Sequence, residues 1–592
     1  MNVSLIYPRF NYPNAGGMYA PLGLVYLAAV AREYGHNVSI IDMTFQDKPY
    51  ISEAALKHVD VVGISFSTPL ASRAFEVLKY IKSVNYDIKC ISGGPHPTID
   101  PEECLKNGFD VVVIGEGEYT FADLLSKLEA SRPISEVEGI AYLENGNIVI
   151  TNPRPLIEDL DKLPFPARDL IDWETYLKHD TGISVITSRG CPYQCVFCKP
   201  MQEKLFWKKV RRRTPANVLH EIERILHDIQ GHQYVFGLID DTFTFSKTYI
   251  KSFCSEIERR GLKIRWWCQS RVDALDEEIL NVMKKSGCVG LSFGVESGSQ
   301  KVLDFLKKGI KVKDIIRTFD LCHKVDIFTH AYIIIGSPIE TKKDLNETVK
   351  LLKRIKPGSL QISRLTPMRG SALYDIAKEQ GLITINCPDE WDYCSNTYPL
   401  SLKNLSSADL DYYTWIMQNV VKNKSLIALF QKYMARSILY WLELWWSYSI
   451  SFALDSAGVK NLIRGWSNPE KWGTWTDGDT ASVVLTPAYR PKYDFELLIK
   501  GQAFLAYNHP SQEIDVFVNG HHVASLKYDL KSNSGVRVVK IPKNLVAAEN
   551  NHLLIGLNLK NPKSPAELGV SDDRRRLGLG LVSLELKTAN WL

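Results

Sequence analysis

Two successive stretches of this chain alternate short β-rich runs with amphipathic helical runs, and that alternation restricts the fold more than any other feature. In the first, Val3 to Tyr7, Asn37 to Ile41, Val61 to Phe66, Ile88 to Ser92 and Val111 to Ile114 read as strands. Leu22 to Tyr34, Leu70 to Val84 and Glu118 to Leu128 read as helices, with a shorter one near Glu102. Strands separated by helices pair in parallel, which predicts a doubly wound, Rossmann-like sheet with helices on both faces. Such sheets bind ligands in the crevice beyond the strand C-termini. The loops that fall there are Pro8 to Pro21, Ser65 to Pro69, Gly93-Gly94-Pro95-His96 and Gly115-Glu116-Gly117-Glu118, whose glycines let a backbone approach a ligand closely.

The second alternation runs from Ile183 to Leu365. It places strands at Ile183 to Ile186, Tyr234 to Ile239, Ile264 to Gln269, Gly290 to Val295, Thr329 to Ile335 and Ser359 to Leu365, with a helix in each interval. Six such units predict a partial (β/α)6 barrel; a closed eight-stranded barrel needs two more, which the residues after Arg369 do not supply. Barrels of this kind carry chemistry at strand C-termini. There the chain offers Asp240 and Asp241 after the second strand, Gln269 and Arg271 after the third, Glu296 and Ser297 after the fourth, and Ile335, Gly336 and Pro338 in the fifth-strand loop.

At the end of the first of these strands, Cys191, Cys195 and Cys198 crowd one short loop, Arg189-Gly-Cys-Pro-Tyr-Gln-Cys-Val-Phe-Cys198. Three thiolates at this spacing can wrap a soft-metal cluster, but a [4Fe-4S] cube held by cysteine alone takes four, so one iron is left open. A zinc site or three unrelated thiols are the competing readings. Zinc knuckles favour two CxxC pairs some distance apart, and no second pair is present.

The CxxxCxxC triad, together with Gly294-Val-Glu-Ser-Gly298, Ile335-Gly-Ser-Pro-Ile-Glu-Thr341 and Thr366-Pro-Met-Arg-Gly-Ser371, closely resembles the radical S-adenosylmethionine (SAM) enzymes from about Ser184 to Tyr374. The resemblance implies that Cys191, Cys195 and Cys198 hold the cluster. It also implies that Asp240 and Asp241 address the methionine amino group of SAM, Glu296 its ribose, and Ile335 to Pro338 its adenine. The N-terminal stretch, with Pro21-Leu-Gly-Leu-Val-Tyr-Leu-Ala28, Ser92-Gly-Gly-Pro-His96 and Ile114-Gly-Glu-Gly-Glu118, resembles the cobalamin-binding domain that precedes many such barrels. Gly93, Gly94, Gly115, Glu116 and Gly117 are then expected at the cobalamin. No Asp-x-His-x-x-Gly follows the first strand, so cobalamin is expected to bind without a protein histidine on cobalt, with His96 as a hydrogen-bonding loop residue.

The rest of the chain divides by pattern. Residues 1–135 form the cobalamin-binding-like domain, 136–181 a proline-rich linker, 182–375 the barrel, 376–464 an aromatic-rich helical region and 465–592 an antiparallel β-sandwich. Within the helical region, Ser437 to Leu454 is the most apolar helix-like run; interrupted by Glu443 and several serines, it is read as buried or interfacial and not as a transmembrane span. The tryptophan-rich opening of the sandwich and its close, Ser564 to Gly578, resemble a module appended to some cell-envelope glycan and glycerophosphate transferases. That implies a saccharide context, with Trp472 and Trp475 as stacking candidates against the alternative of core packing.

A net charge of +4 with no large basic block excludes nucleic acid as an implied partner. All eleven cysteines lie between Cys90 and Cys394 in an irregular pattern, the usage of a reduced compartment, and no secretory leader is evident, so a cytoplasmic location is expected. The leading expectation is a cobalamin-dependent radical SAM enzyme that methylates an unactivated carbon. It would use a [4Fe-4S] cluster, SAM, cobalamin, an electron donor such as flavodoxin or ferredoxin, and a small-molecule, lipid or glycan substrate. Cyclisation, ring contraction or rearrangement with cobalamin as redox partner is the alternative outcome, and a non-enzymatic iron-sulfur glycan-binding protein the alternative class.

Overall fold

A computed structural model describes residues 1–8, 19–45, 51–178, 182–198, 209–228, 234–384, 400–422, 447–454, 456, 458–485, 494–545 and 553–588. The chain divides into two compact units, Met1–Leu402 and Lys403–Leu592. Among the described residues no helix is long and apolar enough to cross a membrane, and none of the nine described cysteines is in a disulfide.

The first unit holds two α/β sheets. In one, β1 (Asn2–Tyr7), β2 (Asn37–Asp42), β3 (Val61–Ser65), β4 (Lys89–Gly93) and β5 (Val111–Val113) pair in parallel in the order β2-β1-β3-β4-β5. Their apolar residues feed two clusters, one on each face. Ile6, Val62, Ile64 and Val112 pack under the helix Ala71–Val84, and Leu5, Ile91, Val111 and Val113 pack under the helices Leu22–Glu33 and Gly117–Glu129. Burial on both faces is what makes these strands near-continuous apolar runs. The stretch 136–181, read from sequence as linker, extends this sheet. β6 (Ile140–Glu144) and β7 (Asn147–Ile150) add antiparallel beyond β5. Their two-residue turn is Asn145-Gly146, both at positive φ, the pairing that a tight hairpin of this twist requires.

The second sheet is formed by β8 (Ile183–Val185), β11 (Val235–Leu238), β12 (Arg265–Ser270), β13 (Cys288–Glu296), β14 (Phe328–Ile335) and β15 (Ser359–Arg364). A two-stranded ribbon of β9 (Ser188–Arg189) and β10 (Arg211–Arg212) lies between the first two in sequence. The six strands are parallel, in chain order, with β8 and β15 at the two edges, which is the open barrel expected. Helices Pro215–Asp228, Lys247–Arg259, Glu277–Lys285, Val312–Lys324 and Lys342–Ile355 occupy the intervals, each placing an apolar stripe against the sheet.

The second unit is an antiparallel sandwich. One sheet runs β16 (Ser447–Ser451), β25 (Leu577–Thr588), β20 (Phe495–Ala503) and β23 (Ser534–Ile541), with β18 (Thr474–Asp477) also on β25. The other runs β17 (Leu462–Arg464), β19 (Thr480–Leu485), β24 (Leu553–Lys560), β21 (Ser511–Val518) and β22 (His521–Asp529). One buried cluster takes residues from both sheets, including Leu497, Leu584 and Leu586 from the first and Val483, Val516 and Ile555 from the second.

The helical region expected at 376–464 is more mixed. Helices span Ala372–Glu379 and Ser407–Lys422, and 423–446 lies outside the described residues. Of the helix expected over 437–454, the part from Ser447 is strand β16: Ser447, Ser449 and Ser451 alternate with Tyr448, Ile450 and Phe452, a period of two that suits a sheet face and not a helix. Trp472 and Trp475 are half-buried and meet edge to face at 5.3 Å, with Trp475 also against Phe504 and the Trp472 indole N–H donating to Glu470 at 2.8 Å.

The sandwich carries its own continuous core, so Lys403–Leu592 expressed alone is expected to give a cooperative thermal transition by circular dichroism. In that segment Leu586→Ala, which empties a fully buried position, should cost about 2–5 kcal/mol in denaturant titration.

Candidate active site

The loop that carries the three cysteines has little regular structure, so its backbone must be satisfied by other means. Asp240, buried just past β11, does most of this. It accepts the Thr187 amide at 2.7 Å, the Ser188 amide at 3.0 Å, the Ser188 hydroxyl at 2.8 Å and the Thr187 hydroxyl. Burial lifts its carboxyl above the usual range while these four donors pull it back. With its oxygens so engaged, Asp240 fastens the cluster loop to the sheet and has no capacity left for the methionine amino group of SAM. Asp241, exposed where Asp240 is buried, is the carboxylate that opens onto the cavity described below.

Beyond Asp240 the loop is pinned at three further points. The Cys198 amide donates to the Cys195 carbonyl at 3.1 Å, and Val196 bonds both the Leu306 carbonyl and the Leu373 amide at 3.1 Å while packing against Val302, Leu306 and Leu365. Arg271, expected at the cofactor, lies 3.6 Å from the Tyr193 ring centre. Its donors go to Asp273, twice at 2.9 Å, and to the Lys308 carbonyl at 2.9 Å. It therefore braces the loop from outside. Glu296, buried, pairs with the half-buried Lys308 at 2.8 Å. A register shift at the end of β13 and a left-handed backbone at Glu296, φ 60°, aim this carboxylate. Gly294 makes room for the pair, since a Cβ there would stand 2.4 Å from Glu296 Oε1 and 2.5 Å from Lys308 Nζ.

The three thiols sit close enough to influence one another. Crowding by protein atoms, with Asp241, Cys195 and Cys191 adding to it, raises the Cys198 thiol, although its side chain is exposed. Burial also raises Cys195, opposed by Lys308 and Arg271. Among the described residues no three His, Cys, Asp or Glu side chains gather tightly enough to hold a single metal ion. A cube asks something different, because each thiolate meets its own iron, and three thiols on one loop with Lys308 and Arg271 nearby to offset thiolate charge fit that demand.

The remaining expected residues divide. Gln269 is half-buried on the β12 face that also carries Trp267, in register with Ser292 of β13 and, through it, His330 of β14. Ser297 faces the other way: its hydroxyl meets Thr348 at 3.3 Å and accepts the Ser299 amide at 3.1 Å, binding the loop to helix Lys342–Ile355. Ile335 is fully buried. Glu340 closes the Gly336–Pro338 loop by accepting the amides of Gly336 at 2.6 Å and Ser337 at 3.2 Å. Lys308 was not among the expected site residues; nothing in its own spacing marks it, because its partner Glu296 comes from the end of β13.

A cavity of about 320 Å³ lies beyond the C-terminal ends of β1, β3, β4 and β5. Its walls include Gly93, Gly94, Gly115, Glu116 and Gly117 with Leu24, Ile91 and Val113, and its far side is Ile186, Ser188, Arg189, Ile239 and Asp241 from the barrel. At Gly23 and Gly115 no atom lies within 4 Å of where a Cβ would stand. A glycine-walled, largely apolar slot of this kind fits one edge of a broad flat ring such as a corrin. Among the described residues no histidine lines it. His96 is buried elsewhere, stacked on Phe66 with ring centres 5.5 Å apart and its Nδ1 3.2 Å from the Thr68 hydroxyl. Glu116, though at the wall, spends its carboxylate on Arg189, Arg211 and the Ile157 amide.

Comparison with known proteins agrees with this geometry. Residues 9–125 match the B12 binding domain, 185–352 the radical SAM superfamily and 445–588 a domain of unknown function, DUF7024. An uncharacterized methyltransferase of Pyrococcus horikoshii is 34% identical over 374 residues, covering 61% of this chain and 79% of that one. An anaerobic magnesium-protoporphyrin IX monomethyl ester cyclase of Rubrivivax gelatinosus is 31% identical over 396 residues, 63% of this chain and 69% of its own. In fold, the chain is similar to the radical SAM methyltransferase TsrM from Kitasatospora setae, solved with cobalamin and a [4Fe-4S] cluster (TM-score 0.55, 20% identity, 64% and 75% coverage). It is also similar to the cobalamin-dependent enzyme OxsB (TM-score 0.59, 19% identity, 70% and 66% coverage). The chain belongs to the radical SAM superfamily, in the branch that carries a B12-binding domain, and is a radical SAM enzyme.

Two outcomes test this description. Asp240→Asn places an N–H₂ among four donors, and iron bound after anaerobic reconstitution should fall several-fold while far-ultraviolet circular dichroism is retained, the loss of a buried acceptor costing about 1–3 kcal/mol. Glu340, raised by burial from 4.5 to about 7, keeps its proton in the native state below that pH. It stabilises the fold below pH 4.5, and that benefit is lost as pH rises through 7. Glu340→Gln should therefore flatten the fall in Tm across this window, removing a pH-dependent contribution of roughly 3 kcal/mol.

Proposed function

We propose that this chain is a cobalamin-dependent radical SAM methyltransferase that acts on an unactivated carbon of a small-molecule, lipid or glycan substrate. The observation that carries the proposal is the shared cavity: one wall is the glycine loops of the B12-binding domain, and the other is the barrel residues Ser188, Arg189 and Asp241 that border the cysteine loop. When bound, the cluster and SAM supply a radical able to remove hydrogen from carbon, and cobalamin supplies a methyl group.

The protein's own residues hold and enclose. Cys191, Cys195 and Cys198 bind three irons and leave the fourth to SAM. In this reading Asp241, on the cavity wall, rather than Asp240 accepts hydrogen bonds from the SAM ammonium, and Glu296, held by Lys308, accepts one from a ribose hydroxyl. Tyr19 rests 6.2 Å from Trp267, on the barrel face that continues to Gln269. Aromatic and amide side chains there exclude water and offer the substrate both stacking and hydrogen bonds. An electron donor such as flavodoxin or ferredoxin completes the system. The cyclase relative supports oxidative ring closure as the second reading.

Anaerobic reduction with SAM and substrate separates the readings. Formation of both 5′-deoxyadenosine and S-adenosylhomocysteine is the expected result; 5′-deoxyadenosine alone would favour ring closure, and neither product would sink the enzyme assignment. Cys191→Ala, Cys195→Ala and Cys198→Ala should each reduce 5′-deoxyadenosine to background, because each removes one of only three thiolates. In the cobalt(II) state the wild-type electron paramagnetic resonance spectrum should lack hyperfine splitting from a protein imidazole, and His96→Ala should leave it unchanged.

A further inference from the structure

The motif Gly115-Glu-Gly-Glu118 sits where a cofactor-binding loop belongs, yet both of its carboxylates point at the cluster loop. Arg189, two residues before Cys191, donates from Nη1 to Glu116 at 2.8 Å and from Nη2 to Glu118 at 2.5 Å. The second oxygen of Glu116 accepts Arg211 Nη1 at 2.7 Å and the Ile157 amide at 2.8 Å. Arg211 is in turn the register partner of Arg189 in the β9–β10 ribbon. All four charged side chains are at most 11% exposed, and the two positive charges balance the two negative ones. Glu116, Glu118 and Arg189 all face the cavity, as does Tyr26, whose ring lies 5.7 Å beneath the Arg189 guanidinium.

A buried quartet of this kind does little for net stability, but it fixes geometry: no member can shift without stranding a charge away from water. One side is a loop of the crevice, and the other is the strand that enters the cysteine triad. We propose that Arg189 is a positioning residue that couples the two cofactor sites, so that whatever fills the crevice sets the geometry of the cysteine loop through Glu116 and Glu118. This rests on the reading that the crevice takes cobalamin. Arginine suits the task because its planar fork reaches two carboxylates at once; lysine, a point donor, holds one.

The test uses full-length, anaerobically reconstituted protein and cyanocobalamin as the probe. Binding is followed by absorbance, and backbone hydrogen exchange of residues 186–198 is followed by mass spectrometry. In wild type, cyanocobalamin should slow exchange in that segment about tenfold. The variant Arg189→Gln/Glu118→Gln removes one charge of each sign and leaves Glu116 with Arg211, so the site stays neutral. At saturating cyanocobalamin, with its affinity measured alongside, the slowing should be confined to the glycine loops. Arg189→Lys should restore part of the effect. Equal protection of 186–198 in the double variant would overturn the coupling, as would wild type that binds the probe with no protection there. Failure of wild type to bind any cobalamin would overturn the crevice reading instead, and the coupling with it.

Discussion

Everything the cysteine loop does depends on one buried carboxylate. Asp240 leaves the end of β11 and takes the amides and hydroxyls of both Thr187 and Ser188, which indexes the start of the loop to the neighbouring strand. Irregular backbone beside an open cavity otherwise has only water to satisfy it, and water does not hold position. From that fixed origin the remaining pins act in sequence: Arg271 against Tyr193, Val196 between Leu306 and Leu373, and Lys308 with Glu296 behind Cys195.

The same logic recurs where the two α/β sheets of the first unit meet. Glu221, almost fully buried, accepts both Arg168 and Arg213. Burial alone would raise its carboxyl, but the two guanidinium groups hold it below the ordinary range. Arg213 also donates to the Tyr26 hydroxyl at 3.2 Å, and Tyr26 lines the cavity. Ion pairs buried in this way are weak stabilisers and strong specifiers, which is what two cofactor sites that must meet at a fixed distance require.

Much of this was legible in the residues. The parallel strands were readable because burial on both faces makes each an uninterrupted apolar run, and the cysteine triad because its three ligands come from one loop. What escaped has physical reasons. The β6–β7 hairpin was lost to the prolines around it, although Glu144-Asn-Gly-Asn147 carries the turn signal. Strand β16 was hidden because its aromatic side chains also suit a helix, and only the serine alternation separates the two. Asp240 and Asp241 are adjacent in sequence yet point to opposite tasks, since successive residues at a strand end diverge. Ser297 and Arg271 carry the right chemistry for a cofactor but are claimed by Thr348, fifty-one positions away, and by Asp273 together with the Lys308 carbonyl, thirty-seven positions away.

The divided ownership of the cavity bears on how such a chain can be rebuilt. Its walls belong both to residues 5–121 and to residues 186–241, so the N-terminal domain is not a cartridge to be exchanged for a relative's at a boundary drawn by sequence. A chimera joined between residues 136 and 150 would sever β6 and β7 from their sheet. It would also confront Arg189 and Arg211 with a foreign loop. A viable exchange has to carry Met1–Ile150 as a block and bring with it carboxylates at positions 116 and 118, or replace the arginines that answer them.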